Sequence, residues 1–367
     1  MAEDISQNLA PLKPKARFSL PIANVAMPVL SIVVAALAGA VIILLMGYDP
    51  LKAYAALAQG SFGNLMQTSE TVKTAVPLLL CGLGIAFAFQ SGAFNTGAVG
   101  QMYMGGLAAI LVAGQFAGLP GWLHMLLATL AAFAAGGLWA LLPAFLKVRY
   151  ASNEIISTIL LNYVAIYLVD YMVAGPIKSG GYGGAPTSWP VLAGVMYPKL
   201  VPQTQLHLGL IFALSAMVIL FFVMRYTTLG QRVRIVGQNR VAATHAGIRA
   251  DRVFLLAFFF SGSLAGLAGA AEILGYQARL ISGFAPSTGY DAIAVALLGG
   301  HAPFLVGLSA LFFAGLQTGA VAMEAIAKLP AQLVDLIRVL AILAVLAASS
   351  PRIVELARKL QGEDRKW

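Results

Sequence analysis

The stretch TAVPLLLCGLGIAFAFQSGAFNTGAVGQMYMGGLAAILVAGQFAGLPGWLHMLLATLAAFAAGGLWALLPAFL, Thr74 to Leu146, contains no Asp, Glu, Lys or Arg. An apolar tract of that length is solvated only by lipid or by other buried helices. The rest of the chain agrees. Its 367 residues are 60% hydrophobic and 10% charged, with 38 glycines and 17 prolines, a composition that excludes a disordered chain, a disulfide scaffold and an ordinary cytosolic enzyme. A net charge of +9 suggests a nucleic-acid partner in a soluble protein, but in a membrane chain the sidedness of Lys and Arg matters more than their sum. No nucleic-acid partner is therefore expected.

Away from that tract, spans of about 20 apolar residues are expected near 27–47, 73–90, 99–118, 122–146, 155–174, 207–224, 253–274, 289–301, 303–322 and 332–350. The eighth is short and ends at Gly299-Gly300 and Pro303, as a broken or tightly packed segment would. The expected architecture is an all-α polytopic bundle of about ten spans. With the N-terminus inside, 16 of the 23 basic residues fall on the inner side, which is the positive-inside distribution. The chain then divides into a cytoplasmic segment 1–26, a transmembrane domain 27–350 and a tail 351–367. In the tail Ile353, Leu356, Ala357 and Leu360 recur at helical spacing opposite Arg352, Glu355, Arg358 and Lys359, as in an interfacial amphipathic helix. Both termini are then cytoplasmic.

Two connections are long. Residues 175–206, on the outer side, combine glycines, including Gly183 and Gly184, with five prolines and with Tyr182, Trp189 and Tyr197, and read as an ordered non-helical cap or a plain connector. Residues 225–252, on the inner side, hold six arginines and suit either a basic surface helix or a docking element.

Polar side chains inside lipid are costly and face a partner or a cavity. Asn95, Thr96 and Gln101 lie around glycines 92, 97 and 100, a helix break that either lines a cavity or is a plain loop. Asn162 bonds a neighbouring helix or a passing solute. Asp170, Glu272 and Asp291 sit near span ends, Asp335 and Arg338 pair at i, i+3, and Glu154 after Ser152-Asn153 reads as a helix-start residue. Gly262 and Gly266 read as bundle contacts. Cys81 is the only cysteine, and the four histidines (His124, His207, His245, His301) have no ligand spacing, so no metal site is expected. No nucleophile, base or metal constellation points to an enzyme. No phosphate loop occurs, and no glycine is followed by lysine. Any ATP that drives transport is therefore bound elsewhere, and no cofactor is expected in this chain.

Four motifs together, FNTGAVGQMYMG (94–105), NEIISTILLNY (153–163), TLGQRVRIVGQNRVAATHAGI (228–248) and GYDAIAVALLGG (289–300), resemble the permease family of bacterial ABC importers for branched-chain amino acids, simple sugars and nucleosides, over nearly all the chain from the second span. The long first segment and the FN-x-G-x-x-GQ form are most similar to the nucleoside-type branch, although that branch commonly has isoleucine at the place of Thr96 and an acid at that of Val99. The resemblance implies a type II importer-like fold in a bacterial inner membrane. It implies an ATP-binding cassette subunit, a second permease, making a heterodimer, and an extracytoplasmic solute-binding protein as partners besides membrane lipid. Gly237, Gln238, Asn239, Ala242, Ala243, Gly247 and Ile248 would form the coupling helix that sits on the ATPase, and Asn95, Thr96, Gln101, Asn162 and Asp291 are expected to line the solute path. The expected function is inward passage of a nucleoside or nucleobase-like solute. Alternatives are a simple-sugar or branched-chain amino-acid permease of the same architecture and, in another class, an ion-coupled secondary transporter.

Overall fold

Helices dominate because the chain is a succession of apolar runs whose backbone groups must bond within each segment. The structure, a computed structural model, describes residues 22–115, 118–182, 185–192, 194–285, 287–300 and 302–330, with 333, 335, 336, 339, 340 and 343. The tail at 351–367, most of the segments 1–26 and 332–350, Gly183, Gly184, His301 and Arg338 lie outside the described residues.

In chain order come α1 (Ile22–Leu45), α2 (Pro50–Phe62), α3 (Leu65–Gln90), α4 (Ala98–Ala113), α5 (Gly121–Tyr150), α6 (Glu154–Ala174), strands β1 (Lys178–Tyr182) and β2 (Ala185–Ser188), α7 (Gly209–Tyr226), α8 (Thr228–Gln238), α9 (Arg240–His245), α10 (Ala250–Glu272), a π-helical turn (Ile273–Gln277), α11 (Thr288–Gly299) and α12 (Pro303–Ala327). Among the described residues six helices, α3, α5, α6, α7, α10 with its π turn, and α12, are long and apolar enough to cross a membrane. The stretch Val33–Leu45 of α1, with α4 and α11, is apolar but shorter. With 12 residues, α11 is only about 18 Å long at 1.5 Å per residue. It is mostly buried and packs against α3 and α12, in line with its punctuation by glycine and proline.

The second span opens at Leu65 and not at 73, and a further helix, α2, precedes it. Asn64 caps α3 by accepting from the Gln67 amide, and Glu70 pairs with Lys73 one turn on. Those two charges, which mark a loop in the sequence, neutralise each other on one helix face.

Apolar burial does not drive helices together in lipid, so close backbone contact must. The centre of the bundle is α10 against α5, α4 and α3. There Gly266 faces Gly136, Gly105 and the Ala132 carbonyl, and a Cβ on it would collide with that carbonyl. Gly262 similarly meets Gly136 and Ala140, so both glycines are bundle contacts.

The connection after α6 is an antiparallel hairpin of β1 and β2. Its continuation lies across the π turn: the Ser188 amide donates to the Leu280 carbonyl, Val191 to Ala278 and Tyr197 to Leu274 at 2.8–2.9 Å. The Tyr197 hydroxyl is hydrogen-bonded to the Thr129 hydroxyl at 2.8 Å. Apart from the last residues of the turn after α6, the described part of this connection is strand and irregular chain.

Candidate functional site

The unwound chain between α3 and α4 is where backbone groups lose their helical partners, and buried amides take them up. Gly92 has φ +76°, which turns the chain out of α3. The Asn95 carbonyl oxygen Oδ1 accepts from the Gly97 amide at 2.9 Å and from Gln101 Nε2 at 3.0 Å. Its Nδ2 donates to Gln101 Oε1 at 3.0 Å and to Ser261 Oγ at 2.8 Å. On α6, Asn162 Oδ1 accepts from the Gly100 amide at 2.8 Å while Nδ2 donates to the Thr96 carbonyl at 2.9 Å. The hydroxyls of Thr96 and Thr158 lie 2.6 Å apart.

Four of the five expected path residues thus meet in one network joining α4, α6 and α10. Asn95, Gln101 and Asn162 are at most 1% exposed. The amide groups of Asn95 and Asn162 are directed at protein partners. Asp291 stands apart, in the first turn of α11, where it accepts from Gln317 Nε2 of α12 at 3.0 Å.

A second group of polar residues gathers at the end of α3 remote from α8. Lys73, buried on α3, is paired with Glu70 and lies 3.8 Å from the centre of the Tyr276 ring on the π turn. On the same turn Gln277 donates to Glu272 at 3.2 Å. His207, ahead of α7, accepts the Gly209 amide on Nδ1 at 3.1 Å. Burial, reinforced by the Lys73 charge, pushes its pKa down to about 4, so it is neutral at physiological pH.

Next to this group a cavity of about 620 Å³ is bounded by Gln67, Glu70 and Thr74 of α3 and by Gln317 and Thr318 of α12. Sequence reasoning missed these residues. Gln67, Glu70 and Thr74 follow one another at i, i+3 and i+7, a helical face that a span begun at 73 cuts in two, and Gln317-Thr318 lie unremarked within an apolar span.

At the other end, α8 and α9 form a corner. Asn239 caps α9 by accepting from the Ala242 amide at 3.0 Å, and Arg240 is paired with Asp251 at the start of α10. Gly237 lies against the Gln90 carbonyl at the end of α3, which ties the corner to the chain entering the Asn95 network. Of the seven expected coupling residues, Ala243 is buried, Ile248 is half-buried, and Gly237, Gln238, Asn239, Ala242 and Gly247 are exposed. Gly247 holds φ +79° with nothing near its absent side chain. Val241, which sequence reasoning passed over, is 67% exposed at the tip. Asn153 caps α6 and Glu154 pairs with Lys147 at 2.8 Å, as expected of a helix start. Asp170 accepts from Ser282 Oγ at 2.6 Å. Among the described residues no group of three or more His, Cys, Asp or Glu is placed to hold a metal ion.

Comparison with known proteins adds an independent line. A sequence profile described as "Branched-chain amino acid transport system / permease component" matches residues 67–346. The guanosine ABC transporter permease NupP of Bacillus subtilis is 35% identical over 347 residues, 93% of this chain and 98% of the relative. A glucose ABC transporter permease of Haloferax volcanii is 38% identical over 86% of this chain and 85% of its own. A nucleoside ABC transporter permease, NupB, of Lactococcus lactis is 32% identical over 82% and 85%. Each of these organisms has a second, more distant relative described for the same solute, 25–28% identical.

Proposed function

The chain belongs to the permease family of branched-chain amino acid transport systems, and on that footing we propose that it passes a nucleoside inward across the bacterial inner membrane. It is a multi-pass permease component of an ABC importer and not an enzyme. The observation that carries the solute is the match to a guanosine permease along 93% of the chain, supported by a nucleoside permease at similar distance.

In this reading ten spans in a type II arrangement, residues 27–350, stand between a cytoplasmic segment 1–26 and a cytoplasmic tail 351–367. ATP is hydrolysed on a separate subunit docked at the α8–α9 corner, where Gly237, Gln238, Asn239, Ala242, Ala243, Gly247 and Ile248 form the coupling element. Support comes from its compact, exposed tip and from the Gly237 contact that links it to α3. A second, different permease completes the membrane unit, as the paired relatives suggest, and a binding protein delivers solute to the outer face. The path passes Asp291 and the junction of Asn95, Thr96, Gln101 and Asn162, whose mutual bonds keep that wall rigid.

The glucose permease relative favours a simple sugar as second reading. Uptake of labelled guanosine into cells expressing the whole system, with excess unlabelled competitors, separates the two. Competition by nucleosides but not by glucose or leucine is expected; competition by glucose alone transfers the solute to the sugar class.

A further inference from the structure

Helix α6 has one buried face and one bare face. Thr158, Asn162, Ala165 and Val169 are buried, and Thr158 and Asn162 join the polar network with the start of α4. On the opposite side Tyr163, Tyr167 and Tyr171 recur at i, i+4 and i+8, which sets them one above another, and they are 52%, 68% and 66% exposed. Among the described residues none of their hydroxyls has a hydrogen-bond partner.

That face differs from the exposed surfaces of the other five helices that are long enough to span a membrane. On those five, the exposed tyrosines and tryptophan are Trp122, Tyr150, Tyr226 and Tyr276, each at a helix end or next to it, where the aromatic belts of a membrane protein lie. Between their ends the exposed large side chains are leucine, isoleucine, valine and phenylalanine, which suit hydrocarbon. Tyr163, by contrast, is the tenth of the 21 residues of α6, about 15 Å from either end at 1.5 Å per residue. A hydroxyl left in hydrocarbon at that depth without a partner is costly. Asp170 falls on the same face, three residues after Tyr167 and seven after Tyr163; it is half-buried, and Ser282 Oγ donates to it at 2.6 Å. A carboxylate on a spanning helix needs a partner or water beside it. Both observations argue for water, not lipid, along this face.

A ladder of tyrosines in a water-filled path offers flat apolar rings with a hydroxyl at each edge. That is the complement of a nucleoside's base, whose π face stacks on aromatic side chains and whose rim carries donors and acceptors. We infer that the tyrosine face of α6 lines the solute path, and that the purine base stacks on Tyr163 and Tyr167 as it passes. The inference rests on the nucleoside reading above and adds to it the part of the solute that this subunit touches. The buried network on the far side of α6 then fixes the helix that presents the ladder.

The natural cysteine, Cys81, is buried, so an introduced thiol reports alone, with the unsubstituted chain as control. Tyr163→Cys and Tyr167→Cys, with Leu138→Cys on the exposed middle of α5, are made in the complete transporter and treated with a water-soluble thiol reagent during ATP-driven turnover. Both α6 thiols are expected to react about tenfold faster or more than Leu138→Cys, because lipid keeps out the reagent and suppresses the thiolate, and guanosine is expected to slow them severalfold. In the Tyr167→Cys chain, adding Tyr163→Leu is expected to raise the guanosine concentration that halves the reaction about fivefold or more, and adding Tyr163→Phe to change it less than about twofold, since a phenyl ring keeps the stack. No reaction at either α6 thiol, or equal reaction at Leu138→Cys, overturns the path face, which lipid or the second permease then covers. Reaction without protection in a variant that still takes up guanosine, or equal effects of Tyr163→Leu and Tyr163→Phe, overturns the stacking. If the unsubstituted transporter takes up no guanosine, the nucleoside reading falls and the stacking with it, while the reaction rates still decide whether water lines the face.

Discussion

Asn95 has both ends of its amide engaged twice, and no part of it meets the surroundings. Asn95→Leu removes those bonds and strands the Gly97 amide and the Gln101 side chain, at about 1–3 kcal/mol for each buried group left unpaired. The expected result is a drop in the amount of folded protein in the membrane along with uptake, measured by fluorescence-detected size exclusion beside transport. A full amount of folded protein with lost uptake would instead mark Asn95 as a solute contact. His207 gives a pH dependence. Its folded pKa of about 4 lies below the ordinary value of 6.5, so between those values the unfolded chain binds a proton that the folded chain refuses. Stability is full above pH 6.5 and falls as pH drops toward 4, by roughly 3 kcal/mol over the window at 1.36 kcal/mol per pH unit. Melting of the purified protein at pH 7 and pH 5 checks this, and His207→Asn should flatten the difference.

The α8–α9 corner exposes groups on both of its helices. Val241 and Ala242 are exposed beside a capped, six-residue helix, so Val241→Asp or Ala242→Glu leaves the fold intact. Either should weaken co-purification of the ATPase about tenfold or more, the effect usual for a central interface residue. Undiminished co-purification would place the docking surface elsewhere. Gly247→Ala forces a side chain into a left-handed backbone, at about 1–2 kcal/mol, and should weaken the same complex less. This corner was legible in the sequence because its motif is contiguous and its arginines are conspicuous. The start of α3 was not, because Glu70 and Lys73 look like loop charges until they are seen to neutralise one another on one face. The hairpin β1–β2 escaped sequence reading for a related cause. The end of β2 and the chain after it are held by the carbonyls of Leu274, Ala278 and Leu280, partners that local composition does not announce. The Asn95 break was visible from its glycines, yet its bonds to Asn162 and Ser261 join residues far apart in sequence.

Across the molecule, apolar length was enough to specify a polytopic bundle, since lipid allows few alternatives. It left open what energises the bundle. The basic corner at one end, the hairpin at the other, and a buried polar network between them are the parts expected of a conduit that a separate motor drives. Uptake of labelled guanosine into proteoliposomes decides the matter. This chain is reconstituted with its second permease, ATPase and binding protein, with and without ATP, and also alone under an imposed proton or sodium gradient. We expect accumulation only in the complete system and only with ATP inside reach of the ATPase; accumulation by this chain alone, driven by an ion gradient, would show that it is a secondary transporter.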